Sequence, residues 1–392
     1  MQSVVVVGAG AAGLVAAIFA KSGDTDVLVI ESTADGGRKI LISGGGRCNI
    51  LPSVLAPERF VTGSPTHLMR NMLKAWPLHE QRAFFEDEVG IKLALEEESG
   101  KLFPASDKAR DVRDGLIELA RKKGVKFAFN TRVTSLNDLK ADRVILATGG
   151  LSVPATGSDG LGLRVADQLG HRMIATYPAL TPLLADQNLH ASLSGVSLKV
   201  RLRGKSSTTT IETEGGFLFT HRGYSGPSVL DISHIVTAPG SRIPVPVIRA
   251  QWSSLNAEAW TKEFNAPSSS IATLLGRAIP VRLAGQLMNE AGVPLDRRTS
   301  DLRRAERTKL IDLLTSYVLP WTGDEGYKKA EVTGGGVALD EVDAKTLESK
   351  RRPGLFLCGE MLDAFGPIGG HNFAWAWSTG RAAGLGSIRG TF

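Results

Sequence analysis

Ser3-Val4-Val5-Val6-Val7-Gly8-Ala9-Gly10-Ala11-Ala12-Gly13 stands almost at the start of the chain. Ser3–Val7 is a short β-branched apolar run, as expected of a parallel strand buried on both faces. Gly8, Gly10 and Gly13 then match G-x-G-x-x-G. Residues 11–22 read as a helix, with small residues where it must pack on a sheet. DVLVIE (Asp26–Glu31) reads as the next strand and ends on an acid 18 residues after Gly13. Gly8 makes the tight turn, and Gly10 lets a pyrophosphate reach backbone N–H groups in the turn that also holds Ala12. Gly13 lets helix and strand pack closely, and the helix N-terminus supplies partial positive charge. Glu31 is placed to accept hydrogen bonds from ribose hydroxyls. A lone G-x-G-x-x-G is a weak signal; strand, fingerprint, helix, strand and acid in this order predict a dinucleotide-binding α/β domain.

At 392 residues the chain is too long for one typical core, so two or three domains, or one domain with an insertion, are expected. Its 44 glycines suit a backbone that approaches a ligand closely in several places. No apolar run approaches the roughly 18 residues of a membrane span, and the first residues lack the pattern of a secretory signal. Cys48 and Cys358 are the two cysteines, far apart, which argues against a disulfide framework or a zinc site. A cytoplasmic protein without a metal site or membrane anchor is the expectation.

Three further stretches bear on the cofactor. Gly354–Glu360 (GLFLCGE) reads as an apolar strand ending in Gly359-Glu360, followed by Asp363 and by Gly369-Gly370-His371-Asn372. Phe373–Gly384 has the composition of a closing helix, whose positive end would stabilise the negative charge of a reduced flavin. Arg143–Gly150 (RVILATGG) reads as a strand re-entering the sheet, with Ala147, Thr148 and Gly149 beside the cofactor. Thr131–Val133 suits an edge near the adenine, with Val133 facing it. Ser43–Asn49 (SGGGRCN) lies in a long loop leaving the second strand. Gly44, Gly45 and Gly46 read as close-approach backbone. Arg38, Lys39 and Arg47 are candidate phosphate or flavin partners, and Asn49 a candidate flavin hydrogen-bonder. Cys48 is either a packed core thiol or a proton donor.

With these stretches in hand, the sequence resembles the two-dinucleotide-fold flavoproteins, and more narrowly the BaiN/RdsA-type family of FAD-dependent oxidoreductases. GAGAAGL (8–14), SGGGRCN, ILATGG with PATGSDG behind it, FLFTHRGYSGPSVLDIS (217–233), EVTGGGV (331–337), FLCGEMLD (356–363) and GGHNFAWAWSTGRAAG (369–384) carry the resemblance. Where the family pattern has a leucine within TH-x-G-leucine-SGP, this chain has Tyr224. The resemblance implies FAD in the first fingerprint. It also implies a Rossmann-like, three-layer FAD-binding domain with a parallel sheet, an inserted antiparallel β-barrel-like domain and a small helical domain. The expected bounds are 1–188 and 331–392 for the FAD domain, 189–255 for the strands and 256–330 for the helices. No second fingerprint unit is present, so NADH or NADPH would serve as a transient reductant without a Rossmann domain of its own.

The middle of the chain adds a charge signal. Residues 190–330 hold 18 Lys and Arg against 12 Asp and Glu, and the remaining residues hold 28 of each, so the whole formal excess of +6 lies there. A solvated basic surface would account for it; so would a polyanionic partner such as ribosomal RNA. Arg297, Arg298, Arg303, Arg304, Arg307 and Lys309 cluster within it, interspersed with acids that suit helical salt bridges. His221, Tyr224 and Cys48 are the candidate catalytic acids.

Three functions follow as expectations. One is reduction of an activated C=C bond, with uracil in 23S rRNA becoming dihydrouridine. The second is the same chemistry on a small enone such as a steroid. The third, of another class, is a non-catalytic flavin-containing RNA-binding or assembly factor.

Overall fold

The computed structural model describes residues 2–205, 210–240, 244–265 and 270–388. Contacts divide the chain into two compact units: unit 1 comprises Met1–Pro178 and Glu331–Phe392, and unit 2 comprises Ala179–Ala330. The first segment of unit 1 thus ends ten residues before the expected 188.

Unit 1 is built on a five-stranded parallel sheet. Its order is Leu355–Leu357, Arg143–Leu146, Ser3–Val7, Asp26–Ile30, Lys126–Ala128. Ser3–Val7 is central, pairing Val4 with Val27 on one side and with Arg143 on the other. Val4 to Val7 are all buried, which is why the strand shows no polar alternation. The helix after it runs Ala11–Ala20, two residues shorter than the pattern predicts. The closing helix runs His371–Ile388 and packs against it. A Cβ at Gly380 would lie 2.4 Å from the Ala12 carbonyl oxygen, so the two helices meet at glycine contact distance. The segments that leave and re-enter the unit, Met173–Ala179 and Val332–Val337, pair as a two-stranded ribbon.

Unit 2 holds a seven-stranded sheet ordered Tyr317–Val318, Val247–Gln251, Ser197–Lys205, Thr210–Phe219, Gly223–Ser225, Leu183–Ala185, Trp321–Asp324, with antiparallel pairs throughout. The helices Ala257–Asn265, Ile271–Gly276, Val281–Ala291 and Arg304–Thr315 belong to the same unit. Strand residues (Leu202, Phe217, Ile248) and helix residues (Trp260, Leu287, Leu310) share one buried cluster. The strands and the helices of the middle segment therefore form one body around one core rather than two.

Candidate functional site

A cavity of about 400 Å³ opens in unit 1 at the carboxyl ends of the parallel strands. Gly8, Glu31, Ala147 and Cys358 each follow directly on a strand, and all four line it. This is where open α/β sheets place their ligands. Gly8 and Gly13 shape its floor. A Cβ on Gly8 would sit 2.5 Å from the Ala147 carbonyl oxygen, and one on Gly13 would sit 1.9 Å from the Gly8 carbonyl oxygen. Gly13 is thus a packing residue beneath the cavity, outside its lining. Gly10 differs: a Cβ there would meet nothing within 4 Å, because the position faces open space. Gly10, Ala11 and Ala12 line the cavity at the N-terminus of the first helix, where backbone N–H groups lack intrahelical acceptors.

Glu31 is 8% exposed and held from several sides. Its Oε2 accepts from the Ala9 N–H at 2.8 Å, and its Oε1 accepts from the Thr33 N–H at 2.7 Å and the Thr33 hydroxyl at 2.8 Å. The carboxylate is locked in place while still facing the cavity. Val133, with Thr131 and Arg132, lines the same cavity, as do Thr148 and Gly149.

A second polar group joins the two ends of the chain. Lys39 forms an ion pair with Glu360 and donates to the Ser152 hydroxyl at 2.6 Å. Glu360 Oε1 also accepts from the Thr333 N–H at 3.0 Å, the Thr333 hydroxyl at 2.9 Å and the Ser152 hydroxyl. Lys39 and Glu360 both line the cavity, as do Arg38, Gly359 and Gly369-Gly370 with Asn372. Arg38 also pairs with Asp35 at 2.8 Å, and Asn372 accepts from the Gly366 N–H at 2.9 Å, closing the turn before the last helix.

SGGGRCN divides. Gly44, Gly45 and Asn49 face the cavity; Gly46, Arg47 and Cys48 do not. Arg47 is turned away. It pairs with Glu96 at 2.9 Å and Asp107 at 2.8 Å, and its guanidinium lies 4.0 Å from the centre of the Phe103 ring. Cys48 is fully buried, and burial pushes its thiol up to about 12. Neither is placed to touch a ligand in the cavity. Asn49 is 8% exposed, and its Oδ1 has no partner among the described residues, an orphaned acceptor at the cavity wall.

Asp363 and His371 likewise lie outside the lining. Asp363 accepts from the Gly63 N–H at 2.9 Å and the hydroxyls of Ser64 at 2.8 Å and Thr62 at 3.0 Å, and burial raises its pKa. It secures residues 62–64. His371 is 6% exposed, packs edge-on against Phe60, and is pushed down to about 4 by burial.

The other two candidate acids belong to unit 2. Tyr224 is completely buried, and its hydroxyl lies 2.8 Å from His190 Nδ1. Burial raises its pKa further above the ordinary tyrosine range. It is a core residue and cannot protonate an external substrate. His221 is exposed, in the turn where the Thr220 N–H donates to the Gly223 carbonyl at 2.8 Å.

Several lining or supporting residues escape a sequence reading. Lys101 reaches the cavity from the antiparallel strand Lys101–Pro104, and Glu360 is held by Ser152, 208 residues before it, and by Thr333, 27 residues before it. No local motif marks them; the Thr333 position inside EVTGGGV is the nearest signal.

Residues 2–386 match the model of the HI0933-like protein Rossmann domain. The chain belongs to the HI0933-like family. Its relatives include the ribosomal RNA dihydrouridine synthase of Escherichia coli K12, 32% identical over 394 residues, which cover 96% of this chain and 95% of that one. The ribosomal RNA dihydrouridine synthase of Haemophilus influenzae is 32% identical over 405 residues, 97% of each chain. The 3-dehydro-bile acid delta(4,6)-reductase of Clostridium scindens is 31% identical over 408 residues, 98% of each.

The HI0933-like chain is an FAD-dependent oxidoreductase, and the residues around its cavity fit FAD. Gly10 leaves the space that a pyrophosphate needs beside the helix N-terminus. Glu31 presents a fixed carboxylate of the kind that receives an adenosine ribose. The Asn49 acceptor lacks a donor until a ligand supplies one. No helix among the described residues is long and apolar enough to cross a membrane.

Proposed function

We propose that this HI0933-like enzyme reduces the activated C=C bond of uracil in ribosomal RNA, giving dihydrouridine. Two relatives carry that activity in their names and one is named for reduction of a bile-acid skeleton, at nearly equal identity. Identity therefore does not separate an RNA from a small enone. The observation that favours RNA is charge: the entire formal excess of +6 falls within residues 190–330, almost all of unit 2. A steroid-like enone needs an apolar pocket and gains nothing from a basic body, whereas RNA is held through its phosphates.

FAD, when bound, supplies the hydride. The chain's own residues do the rest. Gly10 and the first turn of the helix Ala11–Ala20 would receive the pyrophosphate, Glu31 the ribose, and Asn49 a polar edge of the cofactor. The N-terminal end of the closing helix, at Gly369-Gly370, would stabilise negative charge. The target base must leave its stack to reach the cavity. Of the three candidate acids, His221 is the exposed one, and we assign it the proton delivered to the substrate. NADH or NADPH is the reductant in this reading, the cytoplasm the compartment, and no membrane is involved.

Ribosomal RNA from a strain lacking the gene tests the reading. Mass spectrometry of its nucleosides should show less dihydrouridine than the parent, restored by the wild-type gene. Unchanged dihydrouridine, together with accumulation of an unreduced enone, would move the assignment to the small-molecule reaction.

A further inference from the structure

Unit 2 does not spread its charge evenly. Strand Ser197–Lys205 alternates: Val200, Leu202 and Gly204 are buried, and Lys199, Arg201, Arg203 and Lys205 are exposed. Side chains of one strand face recur about every 7 Å, so these cations form a row. The antiparallel register sets Glu214 opposite Arg201 and Glu212 opposite Arg203 on one side. On the other side it sets Arg249 directly opposite Arg203. Both acids lean to Arg201, at 3.3 Å (Glu212) and 3.1 Å (Glu214). Arg203 and Arg249 therefore face each other as like charges, an arrangement that destabilises a strand pair. Uncharged polar residues would satisfy the outer face of this sheet as well without that cost. Beside the row, Lys199, Arg201 and Arg277 line a groove of about 740 Å³ together with Glu214 and Glu263.

The cluster that stands out in the sequence behaves differently. Arg297 pairs with Glu306 at 3.7 Å, the Arg303 backbone N–H donates to Glu306 at 2.9 Å, and Arg307 donates to Asn265 at 2.7 Å. Those cations stabilise their own helix and its neighbours. On strand Ser197–Lys205, Arg201 and Lys199 also have acidic partners, while Arg203 and Arg249 keep their repulsion.

We infer that the outer face of this sheet, with Lys199, Arg201, Arg203, Lys205 and Arg249, binds the phosphate backbone of the RNA that the enzyme modifies. The inference rests on the RNA reading of the preceding section and adds where the RNA is held. Positively charged grooves track nucleic-acid backbones in this way without reading sequence.

The test uses the FAD-loaded protein and 23S rRNA purified from the deletion strain, with filter binding between 50 and 200 mM salt. The variants are Lys199→Ala/Arg203→Ala/Arg249→Ala and, as control, Arg304→Ala/Lys309→Ala. The triple variant should keep the wild type's circular dichroism and urea unfolding of unit 2, which shows that the substituted unit folds. It should bind rRNA at least about tenfold more weakly, with a salt slope shallower by about 2–3, the value for three lost phosphate contacts. The control should bind as the wild type does. A triple variant with wild-type affinity and slope overturns the inference; if the wild type still installs dihydrouridine, the reaction stands and only the surface is wrong. A wild type that binds through this face yet installs none leaves the surface standing and removes the reaction. A wild type that does not bind rRNA overturns the surface outright.

Discussion

Two buried polar sites, one in each unit, are used in opposite ways. In unit 1, Asn49 lines the cavity with an acceptor that no described residue satisfies, and Glu31 is fixed by Ala9 and Thr33 with its carboxylate still at the cavity wall. In unit 2, His190 Nδ1 lies 2.8 Å from the Tyr224 hydroxyl, and its Nε2 lies 3.1 Å from the Tyr317 hydroxyl and 3.6 Å from Glu290. That network closes on itself among Phe217, Phe219 and Trp252. An open acceptor beside a cavity is placed for a ligand; a closed network holds a fold. Tyr224, read from its motif as a candidate acid, falls on the closed side.

The largest effect is expected at Gly13. In Gly13→Val the first added carbon would collide with the Gly8 carbonyl oxygen, so the floor must shift. Overpacking of this kind costs about 3 kcal/mol, and flavin content per protein should fall at least about tenfold, since ~1.4 kcal/mol already does that. Absorbance of the purified protein measures it, and a fully loaded variant would disprove the cradle.

Acid probes the buried histidines, one in each unit. Burial pushes His371 in unit 1 and His234 in unit 2 down to about 4, against an ordinary 6.5. Below pH 6.5 the unfolded chain takes up protons that the folded chain refuses. Stability is therefore whole above pH 6.5 and declines as the pH falls towards 4. At pH 5 each histidine should account for a loss of about 2 kcal/mol, read from urea unfolding at pH 7 and pH 5. Equal stability at both would contradict the burial of both rings.

The smallest pair of effects is the most diagnostic. Asn49→Leu removes an unpaired buried acceptor, so apoprotein stability should hold or rise while flavin affinity falls by about 1–2 kcal/mol. Tyr224→Phe leaves His190 Nδ1 unpaired and should cost about 1–3 kcal/mol of stability with flavin affinity and turnover unmoved. Loss of a catalytic acid would instead slow turnover about 10²–10⁴-fold. Urea unfolding, flavin titration and steady-state rates on both variants separate the two roles.

How much could be read in advance depends on range. The parallel strands, their order of turns and the placing of Gly8, Gly10, Gly13 and Glu31 follow from a fixed local spacing, because one strand, one turn and one helix impose it. Ser152 meets Thr333 and Glu360 across 181 and 208 residues, and nothing near it announces them. Lys101 arrives on a separate small sheet. Within SGGGRCN a turn of positive φ at Gly44, Gly45, Gly46 and Cys48 decides which side chains face inward, and composition does not encode that turn. Arg47 looked like a phosphate ligand because its acidic partners, Glu96 and Asp107, lie some fifty to sixty residues on. The charge asymmetry is legible as a total, while the row of cations on one sheet face needs the register of three strands.

The proposed reduction of uracil in RNA at this flavin site is open to a direct test. The direct measurement is an anaerobic single turnover: the holoprotein is reduced by NADH or NADPH and mixed with rRNA from the deletion strain. Flavin absorbance and dihydrouridine are then followed together. Flavin reoxidation and dihydrouridine formation should rise in equal amounts. A flavin that stays reduced with rRNA but is reoxidised by a steroid enone would contradict it.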